Sequence, residues 1–135
     1  MIKVMYGRKG SGKTKFLVDT ANDLSRESTG LVVFLDDSDD LIRKLHYRIR
    51  FINVAEYSIS TTDAFFGFIC GIVSVNYDLQ HVFVDGLTYI THDQMDNMES
   101  FFASLEELSD KYHIDFTISA NGDETAIPEF LKKYI

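Results

Sequence analysis

The chain has 135 residues, 45% of them hydrophobic, and this length favours one domain with its own core, spanning residues 1–135. The formal net charge of −8 argues against a chain-wide basic surface of the kind that binds nucleic acid. The single cysteine, Cys70, excludes an intrachain disulfide framework and suits a reducing compartment.

The first predicted elements surround a glycine-rich loop. Residues 2–6 predict a short strand, and residues 15–24 predict a helix with apolar side chains at helical spacing. The intervening sequence GRKGSGKT fits G-x-x-x-x-G-K-[ST] at every fixed position, which is the P-loop or Walker A pattern. Its backbone N–H groups surround phosphates where a helix begins. The predicted cofactor-binding residues are Gly7, Arg8, Lys9, Gly10, Ser11, Gly12, Lys13 and Thr14.

Two side chains of this loop have more specific predicted roles. Lys13 is expected to reach the β- and γ-phosphates, and the Thr14 hydroxyl is expected to bind Mg²⁺. The predicted cofactors are therefore a nucleoside triphosphate and Mg²⁺. The sequence contains no N-K-x-D guanine-recognition motif, which favours ATP over GTP. A chance glycine-rich turn is the alternative, and the flanking strand and helix count against it.

A second predicted strand ends in acidic residues. Residues 31–35 form a continuous apolar run, typical of a strand that is buried on both faces of a parallel sheet. Asp36 and Asp37 follow it directly, where open α/β sheets bind ligands. Together with Lys13, they are the candidate catalytic residues. The alternative is a solvated loop with a helix cap.

The only basic cluster lies in residues 41–50 and contains Arg43, Lys44, Arg48 and Arg50. The favoured interpretation is a solvated face that pairs with nearby aspartates. The alternatives are contacts with a partner subunit, a nucleic-acid phosphate or a nucleotide, including an arginine supplied across an interface.

Residues 51–55 predict a short strand, and Thr61 to Asp63 predict the start of a helix whose body is residues 64–73. That body is apolar on nearly all sides, which predicts burial in the domain or in an interface. Gly67 and Gly71 form a G-x-x-x-G pair, which predicts close packing against a sheet or another helix. The apolar run is too short to span a bilayer.

Residues 81–85, HVFVD, resemble a Walker B segment, in which an apolar strand ends in an aspartate. Such an aspartate helps to hold Mg²⁺, so Asp85 and Thr14 are the predicted metal ligands. The alternative is that Asp85 only caps the turn at Gly86.

The rest of the chain predicts a helix, a strand and a second helix. Thr91 and Gln94 suggest a capping box before an amphipathic helix that extends to Tyr112. Residues 115–120 predict a strand, and Asn121 at its end is either a turn residue or, by resemblance to related ATPases, a γ-phosphate sensor. Pro128 predicts the start of a short final helix.

With these motifs and this alternation, the chain resembles a compact P-loop NTPase of the RecA-like or additional-strand division. The resemblance implies an α/β fold, a three-layer sandwich around a mainly parallel sheet of four or five strands. It also implies that the strand at 115–120 lies between the P-loop strand and the Walker B strand. The chain is further similar to small stand-alone bacterial P-loop proteins whose cellular role is unsettled.

One departure from the family pattern weakens the prediction of catalysis. Many ATPases of this division have a glutamate directly after the Walker B aspartate, where this chain has Gly86. The leading hypothesis is an ATP-binding protein with weak or partner-stimulated hydrolysis, acting as a switch or as an ATPase core. One alternative is a small-molecule or nucleoside kinase with Asp36 or Asp37 as base. Another is a structural or regulatory domain without hydrolysis.

The expected partners are a nucleotide and either a second copy of the chain or another protein. No membrane partner is expected, and the acidic net charge does not support a nucleic-acid partner. The predicted strand at residue 2 leaves no room for a signal peptide, which predicts a cytoplasmic location.

Overall fold

The structure is a computed structural model, and it describes all 135 residues. Five strands form one sheet in the order β1-β5-β4-β2-β3, and every neighbouring pair is parallel. The strands are β1 (Ile2–Gly7), β2 (Leu31–Asp36), β3 (Arg50–Asn53), β4 (Leu79–Val84) and β5 (Asp115–Asn121).

Four α-helices cover the two faces of this sheet. They are α1 (Lys13–Glu27), α2 (Thr62–Val75), α3 (Leu87–Thr91) and α4 (Glu99–Tyr112). Short 3₁₀ helices lie at Ile42–Lys44, Val54–Tyr57, Met95–Asn97 and Glu129–Tyr134. Helix α1 packs on one face, whereas α2, α3 and α4 share the core of the other face. The chain is thus a three-layer α/β sandwich, and its sheet is wholly parallel.

The continuous apolar character of β2 is explained by burial on both faces. Phe34 points into the smaller core beneath α1, where its ring stacks on Phe83 at a centroid distance of 5.9 Å. Val33 and Leu35 point into the larger core beneath α2, α3 and α4. Alternate residues of β2 therefore pack into two separate cores. Because both faces of the strand are buried, no position in its interior is polar.

The strand order confirms the topology implied by the resemblance. β5 pairs with β1 on one side and with β4 on the other. The register places Gly7 of β1 beside Asn121 of β5. Because all the strands are parallel, the loops that follow β1, β2, β4 and β5 meet at one edge of the sheet.

The predicted capping box at Thr91 and Gln94 is wrong. The Thr91 hydroxyl donates within α3 to the Leu87 carbonyl, at 2.9 Å, and the next residue, His92, ends the helix in the left-handed conformation. The carboxylate of Asp93 then accepts the Gln94 N–H at 2.8 Å and the Asn97 side-chain amide at 2.9 Å. This local turn interrupts the predicted helix, so α4 begins only at Glu99.

The predicted close packing of the glycine pair in α2 is also wrong within this chain. The buried residues of α2 are Phe65, Ile69 and Val73, which form a single stripe. Gly67 and Gly71 are exposed, and a Cβ atom added to either would meet nothing within 4 Å. One side of this apolar helix, which includes both glycines, therefore faces outward. No helix of the structure combines the length and the apolar character needed to cross a membrane.

Arg43, Lys44 and Arg48 of the basic cluster lie on the connection between β2 and β3, which crosses the α1 face, and Arg50 is the first residue of β3. The four charged side chains of the cluster are exposed, as the sequence predicted, but the predicted pairing with aspartates is wrong. All five ion pairs of the structure involve other residues.

We expect Gly67→Ala to raise the free energy of unfolding by about 0.5–1 kcal/mol, because alanine loses less backbone entropy in a helix and meets no neighbour there. Urea denaturation of the variant and the wild type measures this difference. A destabilised variant would instead indicate that the glycine packs closely against another part of the chain.

Candidate phosphate-binding site

The glycine-rich loop between β1 and α1 forms an open concave surface. Gly10 and Gly12 have φ angles of +83° and +89°, a left-handed conformation that L side chains disfavour. A Cβ atom added to either glycine would meet nothing within 4 Å. The loop therefore needs glycine for its backbone shape, and the space above it is wide enough for a ligand to approach the main chain.

The start of α1 provides hydrogen-bond donors toward this space. Gly12 is the N-cap residue, no side chain caps the helix, and its first turn contains no acidic residue. The first N–H groups of a helix of this length lack intrahelical partners and lie at the positive end of the helix dipole. An anion is the ligand that satisfies both conditions.

The Lys13 ammonium lies over the loop. Its Nζ donates to the Arg8 carbonyl at 2.6 Å, to the Gly7 carbonyl at 3.0 Å and to the Ser11 hydroxyl at 3.3 Å. These contacts hold one positive charge at the centre of the loop. Gly7, Arg8 and Ser11 thus hold the lysine side chain in place, and none of the three lines the cavity beside the loop.

A hydrogen-bond network joins the P-loop to the sheet. The Thr14 hydroxyl Oγ1 lies 3.0 Å from Oδ2 and 3.1 Å from Oδ1 of Asp85. The Ser119 hydroxyl of β5 donates to Asp85 Oδ1 at 2.6 Å and accepts the Gly86 N–H at 2.9 Å. Asp85 follows β4 directly, so two adjacent strands and α1 fix one carboxylate.

The same atoms have the chemistry that Mg²⁺ prefers. A hydroxyl and a carboxylate converge on one point beside the loop, and Mg²⁺ binds oxygen ligands, usually one or two from protein and the rest from phosphate and water. The structure has no cluster of three or more His, Cys, Asp or Glu side chains that could enclose a metal alone. Thr14 and Asp85 thus fit a cation that arrives with phosphates.

Asp36 ends β2 at the same edge of the sheet, and Asp37 follows it directly. Asp36 is only 5% exposed, and its Oδ1 accepts the Asp37 N–H at 2.8 Å. Burial raises the pKa of Asp36 to about 7, the Asp37 N–H opposes that rise, and the carboxylates of Asp85 and Asp37 add to it. Near neutral pH this carboxyl is therefore partly protonated, whereas Asp37 is an exposed side chain.

One cavity of about 650 Å³ brings most of the predicted residues together. It is lined by P-loop residues, by Asp36 and Asp37 and by Asp85 and Asn121, with further residues outside the predicted set. These further residues are Lys15, Ser38, Asp40, Leu41, Gly86, Tyr89 and Ser119.

Asn121 lies at the cavity wall, where its side-chain amide donates to the Tyr89 hydroxyl at 3.0 Å. Tyr89 belongs to α3, and its side chain is half exposed. This contact places the predicted phosphate sensor beside a side chain from the element that follows Asp85. The role of Asn121 as a sensor stays a prediction.

The backbone conformation at Gly86 explains why a glycine, and not a glutamate, follows Asp85. Its φ angle is +77°, and an added Cβ atom would come within 3.3 Å of the Tyr89 ring. A side chain at this position would strain the backbone and crowd the ring. The turn after β4 is therefore built for glycine, and the cavity has no carboxylate at the place that a following glutamate would occupy.

No protein-family model matches the sequence, and no curated protein matches it. Among solved structures, the fold is similar to that of the flagellar accessory protein FlaH from Methanocaldococcus jannaschii, with a TM-score of 0.55 and 12% sequence identity. The match covers 96% of this chain, and the chain spans only 64% of the FlaH chain. At this identity the similarity shows the fold alone. Together with the strand order, it shows an α/β fold of the P-loop NTPase type.

Ser119→Ala should destabilise the protein by about 1–3 kcal/mol, because it leaves the Gly86 N–H without its partner and removes a donor to Asp85. Urea denaturation measures the loss. The control is Ser74→Ala, since the exposed Ser74 hydroxyl only donates to a carbonyl of its own helix, and its effect should stay within about 0.5 kcal/mol. Equal stability of the two variants would contradict the bridging role.

The raised pKa of Asp36 predicts a pH dependence of stability. The folded chain holds this proton more tightly than the unfolded chain, so the stabilisation is complete below about pH 4 and is lost as the pH rises through about 7. Relative to Asp36→Asn, the wild type should lose at most about 1.4 kcal/mol per pH unit across that window. Chemical denaturation between about pH 4 and pH 8 measures the difference, with the exposed Asp110→Asn as the control for removing a charge. A difference independent of pH would show that Asp36 titrates normally.

Proposed function

We propose that the protein binds ATP with Mg²⁺ and hydrolyses it slowly, or when a partner stimulates it, as a switch or as the ATPase core of a larger assembly. The observation on which the proposal depends is the convergence of Thr14, Asp85 and Lys13 beside an uncapped helix start. A helix start alone binds many anions. A hydroxyl and a carboxylate within about 3 Å of each other add a place for the cation that accompanies a nucleoside triphosphate.

Different groups of the site would make different contacts with the nucleotide and Mg²⁺. The backbone N–H groups from Lys9 to Thr14 would bind phosphate oxygens, and Lys13 would exchange its carbonyl partners for phosphate oxygens. The Thr14 hydroxyl and the Asp85 carboxylate would hold Mg²⁺, which neutralises phosphate charge. Ser119 would keep the Asp85 carboxylate in place, since it fixes one of the two oxygens at 2.6 Å.

The same geometry supports slow hydrolysis. Phosphoryl transfer depends on positioning and on electrostatic stabilisation, and the attacking water must also be oriented. The position after Asp85 is a glycine with φ +77°, so it offers no carboxylate for that purpose. Asp36 is a weaker substitute because it is partly protonated near pH 7. We expect turnover well below the median enzyme value of about 10 s⁻¹.

The second candidate function is a kinase that transfers the γ-phosphate to a small molecule or nucleoside. It is favoured by Asp36, a cavity-lining carboxyl whose pKa of about 7 suits a general base near neutral pH. Release of ADP that requires an added hydroxyl compound would favour the kinase. Release that is slow and independent of such compounds would favour the ATPase, and binding without any release would favour a regulatory domain.

Lys13→Ala should weaken the binding of ATP with Mg²⁺ by about tenfold to a hundredfold, because it removes charge-assisted hydrogen bonds to phosphate. Titration calorimetry with the wild type and the variant measures the change. The matched control is Lys111→Ala at the end of α4, where the chain leads into the opposite end of the sheet. Equal affinity of Lys13→Ala and the wild type would overturn the proposed function.

A further inference from the structure

A second and larger groove, of about 840 Å³, lies at the outer edge of β3, and we call it the β3 groove. It shares no residue with the cavity beside the P-loop, which we call the phosphate cavity. Phe51 and Ile52 of β3 both line it. These neighbours belong to opposite faces of the sheet, since Ile52 packs against the core beneath α2 and Phe51 against the core beneath α1. The groove therefore extends around the edge of the strand on both faces.

The backbone at this edge has no strand beyond it. β3 is the last strand in the sheet, and its only partner is β2. An edge strand presents a row of unpaired N–H and C=O groups, which another extended segment satisfies best. Native proteins usually shield such an edge, yet here it opens into a groove in which nine of the sixteen lining residues are hydrophobic.

Both walls of the groove offer apolar contacts. On the α2 side, Phe68, Ile72 and Val75 line it, and Val75 is 76% exposed. On the other side, Ile42 lines it and is 51% exposed. An added strand points alternate side chains to opposite faces, so its side chains would contact the two walls in turn.

One of the two outward glycines of α2 belongs to this surface. Gly71 lines the groove, whereas Gly67, one turn earlier, does not. Because neither position has an atom within 4 Å of an added Cβ, Gly71 leaves room for another chain to approach the helix closely. This placement gives Gly71 a role that packing within the chain does not.

We propose that the β3 groove binds an extended segment of another protein, which adds a parallel or antiparallel strand to β3. The bound segment has alternating apolar residues and an excess of lysine or arginine. Its charge is inferred from the lining, which contains the carboxylates of Asp39, Glu56 and Asp78 against the single guanidinium of Arg50. None of these four side chains makes an ion pair in the structure.

A second copy of the chain fits this surface less well. Each copy has a net charge of −8, and the groove lining itself has an excess of negative charge. Joining two such edges would place like charges together, which costs binding free energy. A basic, apolar strand from a different protein avoids that cost and satisfies the same backbone groups.

The test is a selection from a displayed library of random ten-residue peptides against the full folded chain. The selected peptides should share alternating apolar residues with lysine or arginine between them, and added salt should weaken their binding. A synthetic peptide with the selected sequence should shift the amide resonances of Arg50–Asn53 in NMR spectra of the protein.

Two variants in α2 test whether the peptide binds in the β3 groove. Gly71→Leu fills the groove and should weaken the binding of the synthetic peptide by about tenfold or more. The matched Gly67→Leu variant should bind the peptide with an affinity within about twofold of the wild type. Circular dichroism checks that both variants fold. No enriched sequence, equal binding by both variants, or resonance shifts away from β3 would overturn the proposal. So would sedimentation that shows a dimer broken by Gly71→Leu, since the occupant would then be a second copy.

Discussion

The hydrogen bonds between the Thr14 hydroxyl and the Asp85 carboxylate join the first turn of α1 to the end of β4. The candidate site depends on this contact, because it sets the distance between the glycine loop and the acidic end of the sheet. Ser119 supports it from β5 by bonding both Asp85 and the Gly86 N–H. The parallel sheet makes the arrangement possible, since it brings the ends of β1, β4 and β5 to one edge.

The segment after β2 lies between the phosphate cavity and the β3 groove. Asp37 and Ser38 line the phosphate cavity, whereas Asp39 and Ile42 line the β3 groove. Side chains a few residues apart thus face different cavities. A ligand in either cavity would contact the same short connection, and any coupling between the two would have to act in both directions.

Local patterns in the sequence predicted most of the sheet and the core of the site. The glycine spacing and the flanking periodicity indicated the P-loop, and the apolar run before Asp85 indicated its strand. Ser119 gave no such signal, because a serine within a strand gains its role only when β5 lies beside β4. The sequence did not predict the break between α3 and α4, because the amphipathic pattern continues through it. The break arises because the Asp93 carboxylate accepts the Gln94 N–H and so favours a local turn over the helix. The outward face of α2 could not be predicted, since an all-apolar helix does not show which side meets the sheet.

The central claim is that Thr14 and Asp85 form a magnesium site that is completed by phosphate. It is tested most directly by calorimetric titration of ATP into the wild type and Asp85→Asn, each with Mg²⁺ and with a chelator. The account predicts that Mg²⁺ raises the affinity of the wild type by about tenfold or more, and that this gain is largely lost in Asp85→Asn. An equal gain from Mg²⁺ in both proteins, or no gain in the wild type, would contradict it.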